Sequence, residues 1–543
     1  MSKFSTPGVY TEEVPLLPQS VAEVSTAVPA FIGYTEKTEK NGESIKNTAY
    51  RISTLLEFKE LFGGAQSASF NVTVNEGVIN DIAVTPPKHT LYHAIDLYFK
   101  NGGGDCYIVS IGSYEDTPNS ASFIAGLEAV SKEDEPTLIM LGEATQLEPA
   151  DYHLVCQTAL SQCQELKDRF CIFDIQNKDE RAATFRNGIG TKNLKYGAAY
   201  TPYLQTSLTY KYQEENVIIS GSSAQETIKL EIDEAITIVY NAAAQDNPKV
   251  KINKGSGNTP SFSIEEATLT ITNVGDGTEA SKVIEAWDDS TGKGDFDIIV
   301  IESAALVKSN TRAENLVVSG GDGADTNLFA IKETQSELYN RIVSEVSKQR
   351  IILPPSPAVA GAYATTDRER GVWKAPANVS LNGVIAPVKK ITSKDQEQLN
   401  IDSNNGKSIN AIRGFVGKGT LVWGARTLDG NSNEWRYVPV RRLFNMIEES
   451  TKKASQFAVF ESNDAVTWLK VKAMIESFLY GIWQQGGLAG ATEEQAYFVN
   501  IGLGKTMTQE DILNGRMIAE IGLAAVRPAE FIILKFSHKL QEA

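Results

Sequence analysis

The sequence has few cysteines, and their scarcity excludes a class of fold. Four cysteines in a chain of 543 residues are too few for a disulfide framework. They are Cys106, Cys156, Cys163 and Cys171, and we expect reduced thiols in the core because three of them fall in a predicted helix and the strand after it. The spacing of these three matches no usual zinc knuckle, so the sequence predicts no metal site.

Long apolar runs and excess basic charge are also lacking. No stretch of 18 consecutive apolar residues occurs, and the first residues lack the apolar core of a signal peptide, so we expect neither membrane insertion nor classical secretion. Lys and Arg number 51 against 68 Asp and Glu, which gives a net charge of −17. Such a surface repels phosphate backbones, and the sequence therefore predicts no nucleic-acid partner.

Two motifs resemble a catalytic or binding pattern, but each lacks one residue that the pattern requires. The segment Gly502-Leu503-Gly504-Lys505-Thr506 ends like a phosphate-binding loop, but Val499 stands where the motif needs its first glycine. We predict a turn between a strand and a helix there. His89 and His93 lie four residues apart, yet Thr90 stands where a zinc protease has its glutamate, which favours a surface or helix-start role.

Two glycine-rich segments are equally incomplete. The acidic segment at residues 319–325 lacks the closing glutamate of a calcium loop, and we predict a flexible exit from the preceding region. The segment at residues 101–105 follows a predicted helix instead of opening one, which is typical of a helix stop. The sequence also lacks a Gly-x-Ser-x-Gly elbow. We therefore predict no catalytic residues and no cofactor, and we expect the chain not to be an enzyme.

Hydrophobic periodicity predicts a mixed α+β and α/β fold. The first part alternates predicted strands with predicted helices, which indicates a sheet flanked by helices. The strands are 27–34, 106–109, 137–141 and 169–174, and the helices are 52–62, 91–99 and 152–166. Between residues 206 and 327 the pattern changes to short period-two segments, typical of a β-rich domain. This segment has 9 Lys and Arg against 20 Asp and Glu, so most of the acidity is concentrated in it.

The α/β pattern resumes after this segment. We predict a helix at 327–349, a strand at 350–353, and then a loop-rich stretch to about residue 435. Two helices follow at 438–453 and 465–483. The chain closes with two predicted strands, 516–526 and 530–536.

Several segments, in this order along the chain, resemble contractile tail sheath proteins of bacteriophages and of phage-derived contractile injection systems. They are Thr6-Pro7-Gly8-Val9-Tyr10-Thr11-Glu12-Glu13-Val14, Ser25-Thr26-Ala27-Val28-Pro29-Ala30-Phe31-Ile32-Gly33, Phe58-x3-Phe62-Gly63-Gly64, Phe99-Lys100-Asn101-Gly102-Gly103, Arg436-Tyr437-Val438-Pro439-Val440-Arg441-Arg442-Leu443, Phe457-x2-Phe460-Glu461-x-Asn463-Asp464 and Ala529-Glu530-Phe531-Ile532-Ile533. No single segment is specific, and the resemblance depends on their order. It does not extend to residues 206–327.

The resemblance implies a structural role with a definite mechanism. Subunits would form stacked six-membered rings around an inner tube, in an extended state of high energy, and contract to drive the tube through a target envelope without consuming ATP. The implied partners are other copies of the chain, the inner tube protein, and the baseplate and terminal cap proteins. The implied location is the bacterial cytoplasm during assembly, and then a phage tail or a released or anchored injection particle.

The resemblance also orders the predicted domains along the chain. We predict a linker strand (1–20), a sheath core in two parts (21–205 and 328–435), a β-rich inserted outer domain (206–327), a C-terminal sheath domain facing the tube (436–526) and a second linker strand (527–543).

The two chain ends are the predicted intersubunit strands. The N-terminal one comprises Val9, Tyr10, Thr11, Glu12, Glu13 and Val14, and the C-terminal one Phe531, Ile532, Ile533, Leu534, Lys535 and Phe536. The first is short, acidic and flanked by prolines, with too little apolar surface for a core of its own. Each strand can join a sheet edge of another subunit. The alternative is that each end pairs within its own chain.

A separate surface must grip the tube. The predicted helix at 438–453 carries Arg441, Arg442, Lys452 and Lys453 in an otherwise acidic protein, so we hypothesise that these four residues face an acidic tube. The alternative is a solvated basic helix face.

Three other functions stay open at the level of sequence. The β-rich segment could recognise a glycan or a cell surface, with the α/β part as its scaffold. The chain could also be a non-contractile shell or tube protein, because the sequence indicates adhesion more readily than contraction. An enzyme with an unfamiliar site is the third.

Deletion of residues 2–20 tests the role of the N-terminal segment. We expect the shortened chain to fold as a monomer but not to polymerise, because the deletion removes a donated strand and leaves the predicted core intact. Circular dichroism would establish folding, and sedimentation would measure assembly. Polymers formed by the shortened chain would contradict the prediction.

Overall fold

The computed structural model describes residues 21–75, 77–220, 227–241, 248–308, 310–319, 325–402, 404 and 406–534. The chain divides into two compact units. Within the described residues, unit 1 contains residues 21–66, 87–209 and 350–534, and unit 2 contains residues 67–86 and 210–349. Unit 2 is therefore inserted into unit 1 at two places in the sequence.

The helices are numbered in chain order. They are α1 Leu55–Phe62, α2 Leu91–Lys100, α3 Ser120–Ser131, α4 Pro149–Leu166, α5 Ala183–Gly188, α6 Ala280–Asp288, α7 Ser336–Lys348, α8 Ser356–Arg370, α9 Ser393–Asn400, α10 Val438–Ala454, α11 Ala465–Gln484, α12 Glu493–Ala496 and α13 Gln509–Leu513.

The strands are numbered in the same way. They are β1 Pro29–Thr35, β2 Glu39–Lys40, β3 Glu43–Ser44, β4 Ala49–Ile52, β5 Ala68–Asn75, β6 Val78–Thr85, β7 Cys106–Ser113, β8 Leu138–Met140, β9 Phe170–Asp174, β10 Gly197–Thr201, β11 Leu204–Thr209, β12 Tyr212–Ser220, β13 Thr227–Ile232, β14 Ile236–Tyr240, β15 Lys249–Lys254, β16 Ser261–Glu265, β17 Thr268–Val274, β18 Phe296–Val300, β19 Arg312–Asn315, β20 Val317–Ser319, β21 Thr326–Asn327, β22 Arg350–Leu353, β23 Val379–Ser380, β24 Val384–Pro387, β25 Asn410–Phe415, β26 Gly419–Val422, β27 Tyr497–Ile501 and β28 Ala519–Leu523.

Unit 1 is built on a mostly parallel sheet. Nine of the described strands lie in the order β23-β26-β25-β10-β9-β8-β1-β7-β4. The strands from β25 to β7 run parallel to their neighbours, and antiparallel strands close both edges. Strands such as β1 and β9 are buried along their whole length and mostly apolar, as expected of parallel strands covered on both faces.

Helices cover the two faces of this sheet. Successive residues of a strand point to opposite faces. Ile32 belongs to a core shared with α3 and α4, whereas the ring of its neighbour Phe31 lies edge-on to Tyr98 of α2, with centroids 5.3 Å apart. Helix α2 packs on α8, which also contacts β8 and β9. The sheet is therefore sandwiched between α3 and α4 on one face and α2 and α8 on the other.

Two buried carboxylates tie helices to the ends of the parallel strands. Glu143, just after β8, accepts hydrogen bonds from the backbone N–H groups of Tyr34, Thr90 and Leu91 at 2.5–2.8 Å, and so caps α2. Asp174, the last residue of β9, accepts hydrogen bonds from the N–H and the hydroxyl of Ser356 at the start of α8. Burial raises the pKa of both carboxyls to about 7, and the donors oppose a further rise.

The C-terminal part of unit 1 has its own apolar core. Helices α10 and α11 pack with the antiparallel pair β27–β28, and Met446, Ile475 and Val499 are among the buried residues of this cluster. Val21 and Val24, near the start of the described chain, pack against it as well. This region therefore joins the beginning of the described chain to its end.

Unit 2 contains two further cores. One lies between α7 and the sheet β21-β12-β5-β6, in which the adjacent strands β5 and β6 come from the first insertion. The other lies between the sheets β18-β14-β13-β20 and β16-β17-β15-β19 and is filled by Trp287 of α6. The β-rich pattern thus corresponds to a structure that buries its own apolar residues.

Many sequence-based predictions are confirmed. All four cysteines are free and buried. Helices α2, α4, α10 and α11 and strands β1, β7, β8 and β9 lie within a few residues of their predicted bounds. The chain turns at Gly502–Lys505 after β27 and before α13, as predicted, and α2 ends at Lys100 before the glycines. Residues 320–324 of the acidic glycine-rich segment lie outside the described residues.

Other predictions differ from the structure. His89 and His93 lie at the start of α2 but are buried instead of on the surface. The stretch predicted as loop-rich contains α8, whose Pro357 and many small residues hid its helical periodicity. The second unit runs from 210 to 349 and includes the 67–86 hairpin, in contrast to the predicted insert at 206–327, because β5 pairs with the distant strand β12. Residues 530–534 are not in a strand.

The Glu143 cap is testable by substitution. We expect Glu143→Ala to reduce the free energy of unfolding by about 3 kcal/mol or more, because it leaves three buried N–H groups without an acceptor. Urea denaturation would measure the change. The matched control is Glu148→Ala, since Glu148 is exposed and its side chain makes no capping bond. Equal effects of the two substitutions would contradict the capping role.

Candidate assembly surface

The predicted tube-facing arginines lie in α10, and Arg441 is buried. It is only 2% exposed. Its Nε donates to Asn445 at 2.7 Å and its terminal nitrogen donates to Glu448 at 2.8 Å. The guanidinium also lies over the ring of Trp435, 4.3 Å from the centroid. All these contacts are made within the chain itself.

Arg442 is buried too, at 3% exposure, and forms an ion pair with Asp367 of α8. Its second nitrogen donates to the carbonyl of Thr26 at 2.8 Å, and the hydroxyl of Thr26 donates to Asp367 at 2.6 Å. The guanidinium lies 4.7 Å from the ring centroid of Tyr363. Arg442 therefore joins α10, α8 and the start of the described chain.

The hypothesis that Arg441 and Arg442 face a tube is wrong for the described chain. Both guanidinium groups are buried and each is paired with a carboxylate of the same chain, Arg441 with the exposed Glu448 and Arg442 with the buried Asp367. The helix start reads as basic in the sequence because its acidic partners lie elsewhere in the chain or one to two turns further along the helix. Lys452 and Lys453 differ, since Lys452 is 67% exposed and both extend to Glu449.

The C-terminal segment leaves the body of unit 1 at Glu530. This carboxylate forms an ion pair with Arg426 and accepts from Arg426 Nε at 2.8 Å. The side chains of the next four residues, Phe531, Ile532, Ile533 and Leu534, are between 69% and 81% exposed. Consecutive apolar side chains exposed in this way mark an interaction segment. Lys535 and Phe536 lie outside the described residues.

The predicted N-terminal strand cannot be placed. Val9, Tyr10, Thr11, Glu12, Glu13 and Val14 all lie outside the described residues. Their assignment as a donated strand stays a prediction.

A sheet edge and a groove lie side by side in the C-terminal region. Among the described residues, β28 pairs only with β27. Beside β28 lies a groove of about 890 Å³ between α10 and α11. Its apolar lining includes Ile447, Ile475, Met517, Ile521 and Leu523. A strand added along such an edge can place alternate side chains in an apolar groove.

Sequence reasoning missed the acceptor side of this arrangement. It identified the apolar tail but not the groove, whose lining comes from segments more than 70 residues apart, from Ile447 to Leu523. It also missed Arg426 and Glu530 as a pair. The period-two pattern of β27 and β28 was the only available signal, and it does not reveal which edge is free.

The described residues contain neither a group of three or more candidate metal ligands nor a helix long and apolar enough to cross a membrane.

The reassignment of Arg442 can be tested on the isolated chain. We expect Arg442→Glu to reduce the free energy of unfolding by about 3–5 kcal/mol, because it opposes the buried Asp367 with a like charge. Lys452→Glu, on the same helix but exposed, should change it by about 1 kcal/mol or less. Urea denaturation of both variants would measure the contrast. An Arg442→Glu variant as stable as the parent chain would restore the hypothesis that Arg442 faces the tube.

Two family descriptions match the chain. Residues 431–539 match the phage tail sheath C-terminal domain, and residues 282–428 match the phage tail sheath protein central domain. The two matches are consecutive and include α8, α10, α11 and the β27–β28 pair.

Curated relatives are similar over part of their length. The tail sheath protein of Vibrio phage KVP40 is 26% identical over 185 residues, or 34% of this chain and 26% of the relative. The tail sheath protein of Enterobacteria phage T4 is 24% identical over 225 residues, or 39% of this chain and 34% of the relative. The chain thus aligns with about a quarter to a third of the length of these relatives.

Solved structures are similar over nearly the whole chain. A chain of the anti-feeding prophage baseplate is 28% identical with a TM-score of 0.57, covering 99% of this chain and 100% of that one. A chain of the contracted sheath complex of an extracellular contractile injection system, PVC, is also 28% identical with a TM-score of 0.57, covering 99% of both chains. With its two matched sheath domains, the chain belongs to the contractile tail sheath protein family.

Proposed function

We propose that this chain is the structural subunit of a contractile sheath. Copies of it would assemble as stacked six-membered rings around an inner tube and contract to drive the tube through a target envelope. The observation that carries the proposal is that one chain has both an exposed apolar tail and an apolar groove that could bind such a tail. An apolar tail starts at Phe531 with exposed side chains, and an apolar groove lies beside the unpaired edge of β28 among the described residues.

The tail and the groove fit each other chemically. In an extended strand, Ile532 and Leu534 point to the same face, and the next residue of that face is Phe536. The groove beside β28 offers Ile447, Met517 and other apolar side chains. About five added backbone hydrogen bonds, each worth about 0.5–1.5 kcal/mol net, would contribute a few kcal/mol per donated strand before side-chain burial.

A second copy is the natural donor of this strand. Only seven residues separate the end of β28 at Leu523 from the exposed Phe531. Within these seven residues, Pro528 restricts the backbone and Glu530 is held by its ion pair with Arg426. Both restrain the chain to a course that leads away from the β27–β28 hairpin. A tail held in this way is directed outward, so donation to a neighbour is the simpler arrangement.

Contraction needs no catalytic group in this account. The free energy would come from interfaces, since a contracted lattice that buries more surface per subunit is lower in free energy than an extended one. The chain would therefore act as a structural protein and not as an enzyme. Donated strands would keep the subunits connected while the rings rotate.

The other partners are proposed on the same basis. An inner tube would contact the sheath through an acidic surface facing Lys452 and Lys453, the two predicted cations that are exposed. Unit 2 would be the outer, water-facing domain. Baseplate and cap proteins would bind the two ends of the assembly, in a phage tail or an injection particle. Assembly into cylinders would exclude the alternative of a glycan-binding protein. A non-contractile shell or tube would also assemble, and shortening of the cylinders is what would exclude it.

Electron microscopy of the expressed full-length chain tests the proposal. We expect striated hollow cylinders for the full chain and folded, unpolymerised subunits for a chain lacking residues 531–543, because the deletion removes the donated strand. A chain lacking only residues 541–543 is the matched control and should polymerise. A synthetic peptide of residues 529–543 should bind the shortened chain, whereas a scrambled peptide should not.

Two results would contradict the proposal. A full-length chain that stays monomeric at all concentrations would exclude a sheath subunit. Cylinders formed by the chain lacking residues 531–543 would exclude donation of the C-terminal strand.

A further inference from the structure

The point where the described chain begins is held by buried charge. Arg442 donates to the carbonyl of Thr26 at 2.8 Å and to Asp367 at 3.0 Å. Thr26 in turn donates its hydroxyl to Asp367 at 2.6 Å. On either side of Thr26, the N–H of Val24 donates to Ser450 and the N–H of Val28 donates to Thr137. We call Val24–Val28 the N-terminal root.

The point where the described chain ends is held in the same way. Glu530 accepts two bonds from Arg426 Nε, at 2.8 and 3.1 Å, and a third from a terminal nitrogen. The hydroxyl of Tyr437 approaches the same carboxylate at 3.4 Å. Although burial opposes its charge, the bonds to Glu530 hold the pKa of Arg426 above its ordinary value. We call residues 526–530 the C-terminal root.

Arg426 is itself fixed by the main sheet. Its backbone N–H donates to the Asn410 side chain at 2.8 Å, and Asn410 donates back to the Arg426 carbonyl at 2.8 Å. Asn410 is buried at the start of β25 and also donates to the Ala199 carbonyl of β10. The position of the C-terminal root is therefore set by the rigid sheet and not by a loop.

The two roots meet at one end of one helix. Tyr437 directly precedes α10 and contacts Glu530, while Arg442 is the fifth residue of α10 and contacts Thr26. Five residues of helix advance by about 7–8 Å. The first turns of α10 thus contact both ends of the described chain, although Thr26 and Glu530 are about 500 residues apart in sequence.

We propose that Arg442–Asp367 and Arg426–Glu530 form a linker clamp that fixes the direction of both linkers and transmits load between them through α10. The inference rests on the proposed function, since it assigns the residues that position the donated strands. Charge-assisted, bidentate bonds of this kind are short and directional. A pull on either linker would therefore reach α10 and the sheet before it reached the weaker edge of the β27–β28 pair.

The clamp also sets how readily a strand is donated. A donated strand acts at an effective concentration that depends on how freely its attachment point moves. With the clamp closed, the tail departs from Glu530. With the clamp open, the last backbone hydrogen bond that holds the described chain is that of Val526 to Gly487, so residues 527–530 would also be released from unit 1.

Glu530→Gln tests the clamp, because glutamine keeps the shape of the side chain and removes the charge that Arg426 pairs with. A nitroxide at Ala529→Cys would report motion of the root, and labelling would be specific because the four native cysteines are buried. We expect the label to become more mobile in unpolymerised Glu530→Gln subunits. We expect the polymerised fraction to fall by about tenfold or more at a fixed concentration.

Two control variants show whether the effect of Glu530→Gln comes from the loss of its charge. Glu494→Gln changes an exposed glutamate of α12 and should alter neither mobility nor polymerisation. Glu530→Asp keeps the charge and should restore part of the polymerised fraction, which a purely steric role for the side chain would not predict. The thermal unfolding midpoint of each variant would confirm that the chains are folded.

The clamp and the proposed function can fail separately. If the chain lacking residues 531–543 does not polymerise but Glu530→Gln polymerises normally, strand donation stands and the clamp is overturned. An immobile label in Glu530→Gln overturns the clamp as well. If the chain lacking residues 531–543 polymerises, strand donation is wrong and the clamp has nothing to position.

Discussion

A guanidinium buried in a protein needs a counter-charge beside it. Arg442 has one in Asp367, and this requirement organises the C-terminal region. Removing Arg442 from water is unfavourable unless Asp367 and the Thr26 carbonyl are in place. Asp367 is on α8, Thr26 precedes β1, and Arg442 is on α10, so three distant segments must assemble together. The ion pair therefore makes the start of the chain, the main sheet and the C-terminal helices depend on one another.

The same logic explains how α8 reaches its position. Strand β9 of the parallel sheet ends in Asp174, which accepts a hydrogen bond from the N–H of Ser356 at the start of α8. Glu143 likewise accepts a hydrogen bond from the N–H of Leu91 at the start of α2. Each carboxylate lies at a helix N-terminus, where the exposed N–H groups and the helix dipole favour negative charge. Because α8 starts at Asp174 and carries Asp367 near its other end, the sheet indirectly fixes the partner of Arg442. A chain of buried polar contacts thus connects the β9 strand to the N-terminal root.

Sequence reasoning succeeded where a segment is long and strongly periodic. Helices α10 and α11 and the parallel strands were predicted close to their observed bounds, because the spacing of their apolar residues is regular. It failed where contacts between residues far apart in the sequence determine the structure of a segment. Helix α8 is rich in small residues, of which Gly361 fits against α2, and strands β5 and β6 join a sheet with β12, some 140 residues away. Arg441 and Arg442 read as surface charge because their burial depends on Trp435, Tyr363 and Asp367, whose positions the sequence does not reveal.

The division into two units separates the β-rich cores from the residues that hold the two ends of the described chain. Unit 2 encloses its own cores, around Trp287 and between α7 and its sheet, and carries most of the acidic excess. A change inside such a core is absorbed by neighbours within the same unit. Both roots, the groove and the β27–β28 pair belong to unit 1. A subunit built in this way can alter its β-rich unit while the geometry of its chain ends, and with it any lattice they support, stays the same.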